Sequence, residues 1–198
     1  AKIKDTFTKK LYEKKLDSLF KEIELPLMPV LARMERNGMY VNQEKFEKMS
    51  KHLKNQIHSL EKAIYQEAGE EFNINSPKQL SKILYEKMAL EIPGRKKTEY
   101  STGASILEKL KDKSPIIPQL INYRTIQKLV STYVEALPKQ INQTTNRIHP
   151  TFNQSMTATG RLSCQDPNLQ NIPIKSREGK EIRQAFVPEK KGWSYISA

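Results

Sequence analysis

Apolar residues recur every three or four positions over roughly the first 140 residues, and the rhythm fades afterwards. It is strongest in Phe46, Met49, Leu53, Ile57, Leu60, Ile64 and Ala68, with Asn42 ahead of the run and Gly69 behind it. That spacing predicts a helix over 43–68, about 39 Å long at 1.5 Å per residue. The stripe is narrow and the other faces carry Lys and Glu, so the helix should pack on one side only. A long one-sided helix suits an arm better than the centre of a globule.

The flanking segments follow the same period. In residues 1–22, Leu11, Leu16, Leu19 and Phe20 stand at helical intervals among clustered lysines. Residues 25–38 read as a short helix with Pro in its first turn and Gly38 as its stop, followed by a brief extended link at Met39-Tyr40-Val41. Ser76-Pro77-Lys78-Gln79 is a capping box with Pro at the first helical position, and the helix it opens should bury Leu80, Ile83, Leu84 and Met88. Residues 91–103 lack periodicity and hold Gly94, Arg95, Lys96, Lys97 and Gly103: either a solvated tip or a phosphate clamp that orders on binding. A short helix carries Ile106, Leu107 and Leu110. The next opens at Ser114-Pro115 and runs to about Leu137, with Leu120, Ile121, Leu129, Val130, Tyr133 and Leu137 on its buried side. Arg124 and Lys128 are i, i+4 neighbours on it, which places two cations on one ridge.

After Pro138 the character changes. Residues 142–146 form a turn, 147–154 alternates weakly as a strand, and 181–187 and 193–196 read as short extended or mixed pieces. The fold class is therefore mainly α with a small β segment (α+β). The chain closes on an apolar–polar alternation without a turn, so it is expected to be a fragment of a longer protein.

Composition narrows the partner. The formal charge is +12 with a pI near 9.6, which points to a polyanion, nucleic acid before others. No apolar run approaches the ~20 residues that span a membrane, and no signal-peptide pattern is present. A soluble, intracellular, cytoplasmic protein is expected. The single Cys164 excludes an internal disulfide and a Cys-built zinc site.

No reaction centre is visible in the residues themselves. His52 and His58 are six apart, on different helix faces, and His149 before Pro150 reads as structural. The four Asp, at 5, 17, 112 and 166, are scattered. Phosphate-binding Gly loops, nucleophile elbows and zinc motifs do not occur. What does stand out is the polar run 157–173, rich in Thr, Ser, Asn and Gln, with Thr159, Gly160 and Arg161 near its start and Asn168, Gln170 and Asn171 near its end. It is either a surface loop or a set of donors and acceptors aimed at base edges and phosphates.

The run Phe152-Asn153-Gln154-Ser155-Met156-Thr157-Ala158-Thr159-Gly160-Arg161-Leu162-Ser163, followed by Asp166-Pro167-Asn168-Leu169-Gln170-Asn171-Ile172-Pro173, resembles family A DNA polymerases of the bacterial type. The resemblance extends through Glu24-Leu25-Pro26-Leu27, Phe72-Asn73-Ile74-Asn75-Ser76-Pro77-Lys78-Gln79-Leu80, Tyr123-Arg124, Lys128-Leu129-Val130-Ser131-Thr132-Tyr133 and Ile182-Arg183-Gln184-Ala185-Phe186. It covers essentially residues 20–198 in the family's order. It implies a tail of an exonuclease-like domain over 1–22, a long antiparallel helical thumb with its supporting helices over 23–140, and the N-terminal part of a palm over 141–198, its sheet incomplete. The family's metal-binding Asp would follow Ala198, so the fragment is expected to hold no metal itself and not to polymerise alone. Mg2+ and dNTP belong to the complete enzyme, a DNA-directed DNA polymerase of replication and repair.

By the same resemblance, Arg161 is the donor into the minor groove near the primer end. Gln154, Asn168, Gln170 and Asn171 fall at polar contacts to primer–template DNA, and Thr159 lies in the same motif. Lys128 matches a lysine on primer-side phosphates, with Arg124 beside it. The tip around 91–104, with Arg95, Lys96 and Lys97, would follow the DNA backbone. Val130 stands where a second lysine is common, and Ser155 and Met156 where Thr and Ala are frequent. Arg and Gln donors suit this task because every correct pair shows a minor-groove acceptor at nearly one place. The exposed palm surface is expected to self-associate. A stand-alone basic helical nucleic-acid-binding module, and a scaffold whose lysines serve solubility, are the alternatives.

Overall fold

The computed structural model describes residues 2–91 and 101–196. Helix α1 (Lys2–Glu13) is followed by α2 (Asp17–Leu19), a π-helical turn Phe20–Glu24 and α3 (Leu25–Asn37). The wide turn precedes Pro26: Leu25 N–H reaches back five residues to the Phe20 carbonyl. Gly38 ends α3 with φ 60° and ψ −176°, donating its N–H to Met34 O, and β1 (Met39–Tyr40) follows. Helix α4 occupies Gln43–Ala68, the predicted span. Phe46, Met49, Leu53, Ile64 and Ala68 are buried, while Ile57 and Leu60 are partly so.

Ser76 caps α5 (Pro77–Ser81), its side chain accepting from Gln79 N. A π-helical turn Lys82–Lys87 then carries the buried Ile83 and Leu84. After α6 (Ala104–Lys109), α7 runs over Ile116–Leu129 and passes into a third π-helical turn, Val130–Val134. The single helix expected to end at Pro138 is thus divided. Glu135 N–H bonds to Val130 O, five residues back, and Pro138 lies within α8 (Ala136–Lys139), where a missing N–H is tolerated because the first turn has no intrahelical acceptor.

The strand expected over 147–154 is also divided. β2 (Arg147–Ile148) pairs antiparallel with β1, and β3 (Thr151–Asn153) pairs antiparallel with β4 (Ser163–Gln165). His149-Pro150 separates them, Pro150 having no N–H to continue a ladder. β4 arises inside the polar run read as a loop. A 3-10 turn (Leu169–Asn171) follows it. α9 (Arg177–Gln184) replaces the extended or mixed piece expected from residue 181. Arg177 Nε and Glu181 Oε1 pair at 3.4 Å along it, and the chain becomes extended only at Phe186, bridged to Val41. Residues 193–196 form no strand.

The chain forms two compact units. The first comprises Ala1–Asn42, Leu137–Ser176 and Arg183–Ala198; Leu31, Val41, Leu137, Ile148, Cys164, Ile172 and Ala185 are buried there. The second comprises Gln43–Ala136 and Arg177–Ile182. Within it α4 lies along α7: Tyr123 Oη donates to Glu61 Oε1 at 3.3 Å, and Lys54 pairs with Glu135 at 2.6 Å. The later α7-side residue meets the earlier α4 residue, so the helices run antiparallel. Ile64, Leu80, Leu84, Leu107, Leu110, Ile116, Ile117 and Leu120 form its core.

Candidate nucleic-acid interface

In the first unit, the β3–β4 ladder closes the loop 154–162 at its last rung, Asn153 opposite Ser163. Thr157 Oγ1 donates to Arg161 O at 2.5 Å, and Gly160, at φ 73°, has open space where a side chain would begin. This tight turn leaves Arg161 exposed, its guanidinium without an ion pair or hydrogen bond among the described residues. Thr159 is exposed beside it. An exposed, unpaired guanidinium on a braced backbone is a ready donor to phosphates or base edges.

Behind the loop, Cys164 is buried and its Sγ meets Pro167 O at 3.3 Å. Asp166-Pro167 is cis. Asn168 caps the 3-10 turn, its Oδ1 accepting from Gln170 N at 3.1 Å. Gln170 Nε2 donates to Leu162 O at 3.3 Å, which ties the turn to the β4 side of the loop. Asn168, Gln170 and Asn171 are all exposed.

Gln154 is only half-buried and is held: its Nε2 donates to Glu24 Oε2 at 2.6 Å and to Glu24 O at 3.1 Å. Glu35 Oε1 accepts from Phe152 N at 2.6 Å. Glu24 and Glu35 therefore brace β3 from 130 and 117 residues away, and no local sequence signal could have revealed either. His149 is structural, as read: Nδ1 meets Glu35 O at 2.8 Å and Nε2 meets Thr145 Oγ1 at 2.7 Å. The carbonyl can only accept, so Nδ1 carries a proton.

The second unit separates the two cations of the α7 ridge. Arg124 is half-buried and donates to the Thr102 carbonyl and, at 3.5 Å, to its hydroxyl. Burial pushes its pKa down. It anchors the 101–103 segment, which Tyr85 Oη also grips through Ser101 O at 2.5 Å. Lys128, one turn on, is exposed and unpaired among the described residues. Arg95, Lys96 and Lys97 lie outside the described residues.

The sequence model of DNA polymerase family A matches residues 43–198. The chain belongs to DNA polymerase family A. Among its relatives in that family, DNA polymerase I of Bacillus subtilis (strain 168) is 48% identical over 180 residues, 91% of this chain and 20% of the relative. DNA polymerase I of Caldicellulosiruptor bescii is 52% identical over 171 residues, 86% of this chain and 20% of the relative. The chain thus spans about a fifth of the length of the curated family A relatives it matches. A solved structure, the POL domain of Pol1 from M. smegmatis in complex with DNA primer-template and dNTP, superposes with a TM-score of 0.86 at 36% identity, covering 96% of this chain and 33% of that one.

Proposed function

We propose that this chain is the duplex-holding portion of a DNA-directed DNA polymerase I, a cytoplasmic enzyme of replication and repair, and that it grips primer–template DNA through minor-groove and phosphate contacts. In this reading 1–22 is the tail of an exonuclease-like domain, 23–140 the thumb with its supporting helices, and 141–198 the N-terminal part of the palm. The observation that carries the reading is Arg161: exposed, unpaired among the described residues, and braced by Thr157 within the motif of a family A chain. The likeness to a Pol1 structure bound to primer-template and dNTP supports the choice of ligand.

Arg161 and Lys128 do different work. Lys128 supplies a phosphate contact, which releases counterions and holds any sequence alike. Arg161 reaches a minor-groove acceptor present at every correct pair, so it senses pair geometry rather than base identity. A mispair moves that acceptor and leaves the donor unsatisfied, a loss of about 1–3 kcal/mol. Arg124 holds the 101–103 segment beside the duplex-facing Lys128. No group of three or more His, Cys, Asp or Glu side chains placed to hold a metal occurs among the described residues. No helix among those residues is long and apolar enough to cross a membrane.

The test is equilibrium binding of matched and mismatched primer–template duplexes to the chain and two variants. Lys128→Ala should weaken all duplexes alike and reduce the salt slope by about 1. Arg161→Ala should weaken binding about tenfold and narrow the gap between matched and mismatched termini. If neither substitution alters duplex affinity, the proposed surface is wrong.

A further inference from the structure

We infer that Glu24 is a positioning residue that holds the Gln154 amide so that only its carbonyl oxygen is offered to DNA, making Gln154 a reader of the guanine 2-amino group. This rests on the duplex-binding reading of the β3–β4 loop and gives one of its residues a different chemical sense. On sequence grounds Gln154 was expected to act as a donor, like Arg161.

The geometry fixes the amide's orientation. Its terminal group lies 2.6 Å from a carboxylate oxygen and 3.1 Å from a backbone carbonyl, both of Glu24. These are acceptors only, so the group facing them is NH2; a carbonyl there would bring acceptors together. Both hydrogen bonds of the amide nitrogen go to Glu24. The Gln154 carbonyl oxygen keeps its lone pairs and has no partner among the described residues. The shorter bond is charge-assisted, which makes it the stronger kind. Glu24 is itself anchored, as the last residue of the π-helical turn that enters α3.

Position then gives the acceptor something to read. Gln154 is the first residue beyond the last rung of the β3–β4 ladder, and Arg161 lies two residues before the opposite side of that rung. One neck thus carries a free acceptor and a free donor. In the minor groove an A·T pair shows acceptors alone, whereas G·C adds one donor, the guanine 2-amino group. A fixed carbonyl therefore gains a partner at G·C and meets only like groups at A·T. Arg161 has the converse preference for the acceptors that all pairs share. The two together would sense groove geometry at any pair and add a bias toward guanine.

The experiment compares binding of the full 198-residue chain to a G·C duplex and to the same duplex with inosine replacing guanine. Inosine keeps the purine N3 acceptor and lacks the 2-amino group. The wild-type chain should bind the G·C duplex about threefold to tenfold more tightly, the value of one hydrogen bond. Gln154→Leu should bind both alike. Glu24→Gln should also lose the preference, because a neutral amide partner lets Gln154 turn over, and its cooperative thermal melt would show that the fold is retained. Duplex binding by wild type without a G·C preference overturns this inference and leaves the proposed function standing. A preference retained in Glu24→Gln overturns the positioning role. Absence of duplex binding overturns the proposed function and the inference with it.

Discussion

At the scale of single residues, Tyr123 shows how a polar group is kept in the second unit's core. It is 3% exposed, donates to Glu61 Oε1 at 3.3 Å and accepts from Asn75 Nδ2 at 3.1 Å. Burial is the main reason its phenol pKa is raised. An unfolded chain therefore loses this proton first as pH rises. The stability linked to it is intact below pH ~10, the ordinary tyrosine value, and declines as pH climbs toward the folded value. Tyr123→Phe should lower stability at neutral pH by about 1 kcal/mol and make the alkaline decline shallower. Urea unfolding at neutral pH and again above pH ~10 checks both; an equally steep decline in the variant would contradict the assignment. The same scale explains why Arg124 and Lys128 look equivalent in the sequence. Their spacing places both on one ridge, but only the fold brings Thr102 against Arg124 and leaves Lys128 exposed.

At the scale of elements, local chemistry was legible wherever it was sufficient. Asn42 and Gly69 bracket α4, and the Ser76 cap forms as its sequence implies. Where a distant partner decides the conformation, the pattern was silent. β4 exists because Cys164 sits opposite Phe152, yet its own residues read as a polar loop. α9 was obscured because Ile182, Ala185 and Phe186 suit either an extended piece or one helical face. The three π-helical turns leave the apolar spacing nearly unchanged, so periodicity could not mark them. Gly38 was legible as a stop, but its stricter duty appears only in three dimensions. At φ 60° a β-carbon there would lie 2.7 Å from Ile148 O and from His149 Nδ1, where β2 crosses the end of α3. Gly38→Ala should destabilise the first unit by about 2 kcal/mol or more, combining backbone strain with the clash. A shift in denaturation midpoint worth less than about 0.5 kcal/mol, the scale of an ordinary surface substitution, would show that the junction relaxes freely.

At the scale of the whole molecule, charge is consistent with the proposed partner. A chain of 198 residues with a formal charge of +12 favours a polyanion, which suits the proposed grip on DNA. Composition could not say which cations are available, because ion pairs such as Lys54–Glu135 and Arg147–Glu189 occupy some and leave others exposed. The most direct test of the central claim is therefore equilibrium binding of a primer–template duplex to the chain across a salt series from about 50 to about 200 mM. Binding through phosphate contacts predicts measurable affinity at low salt and a linear fall of log K with log salt. No binding at the lowest salt, or an affinity that salt does not change, would contradict it.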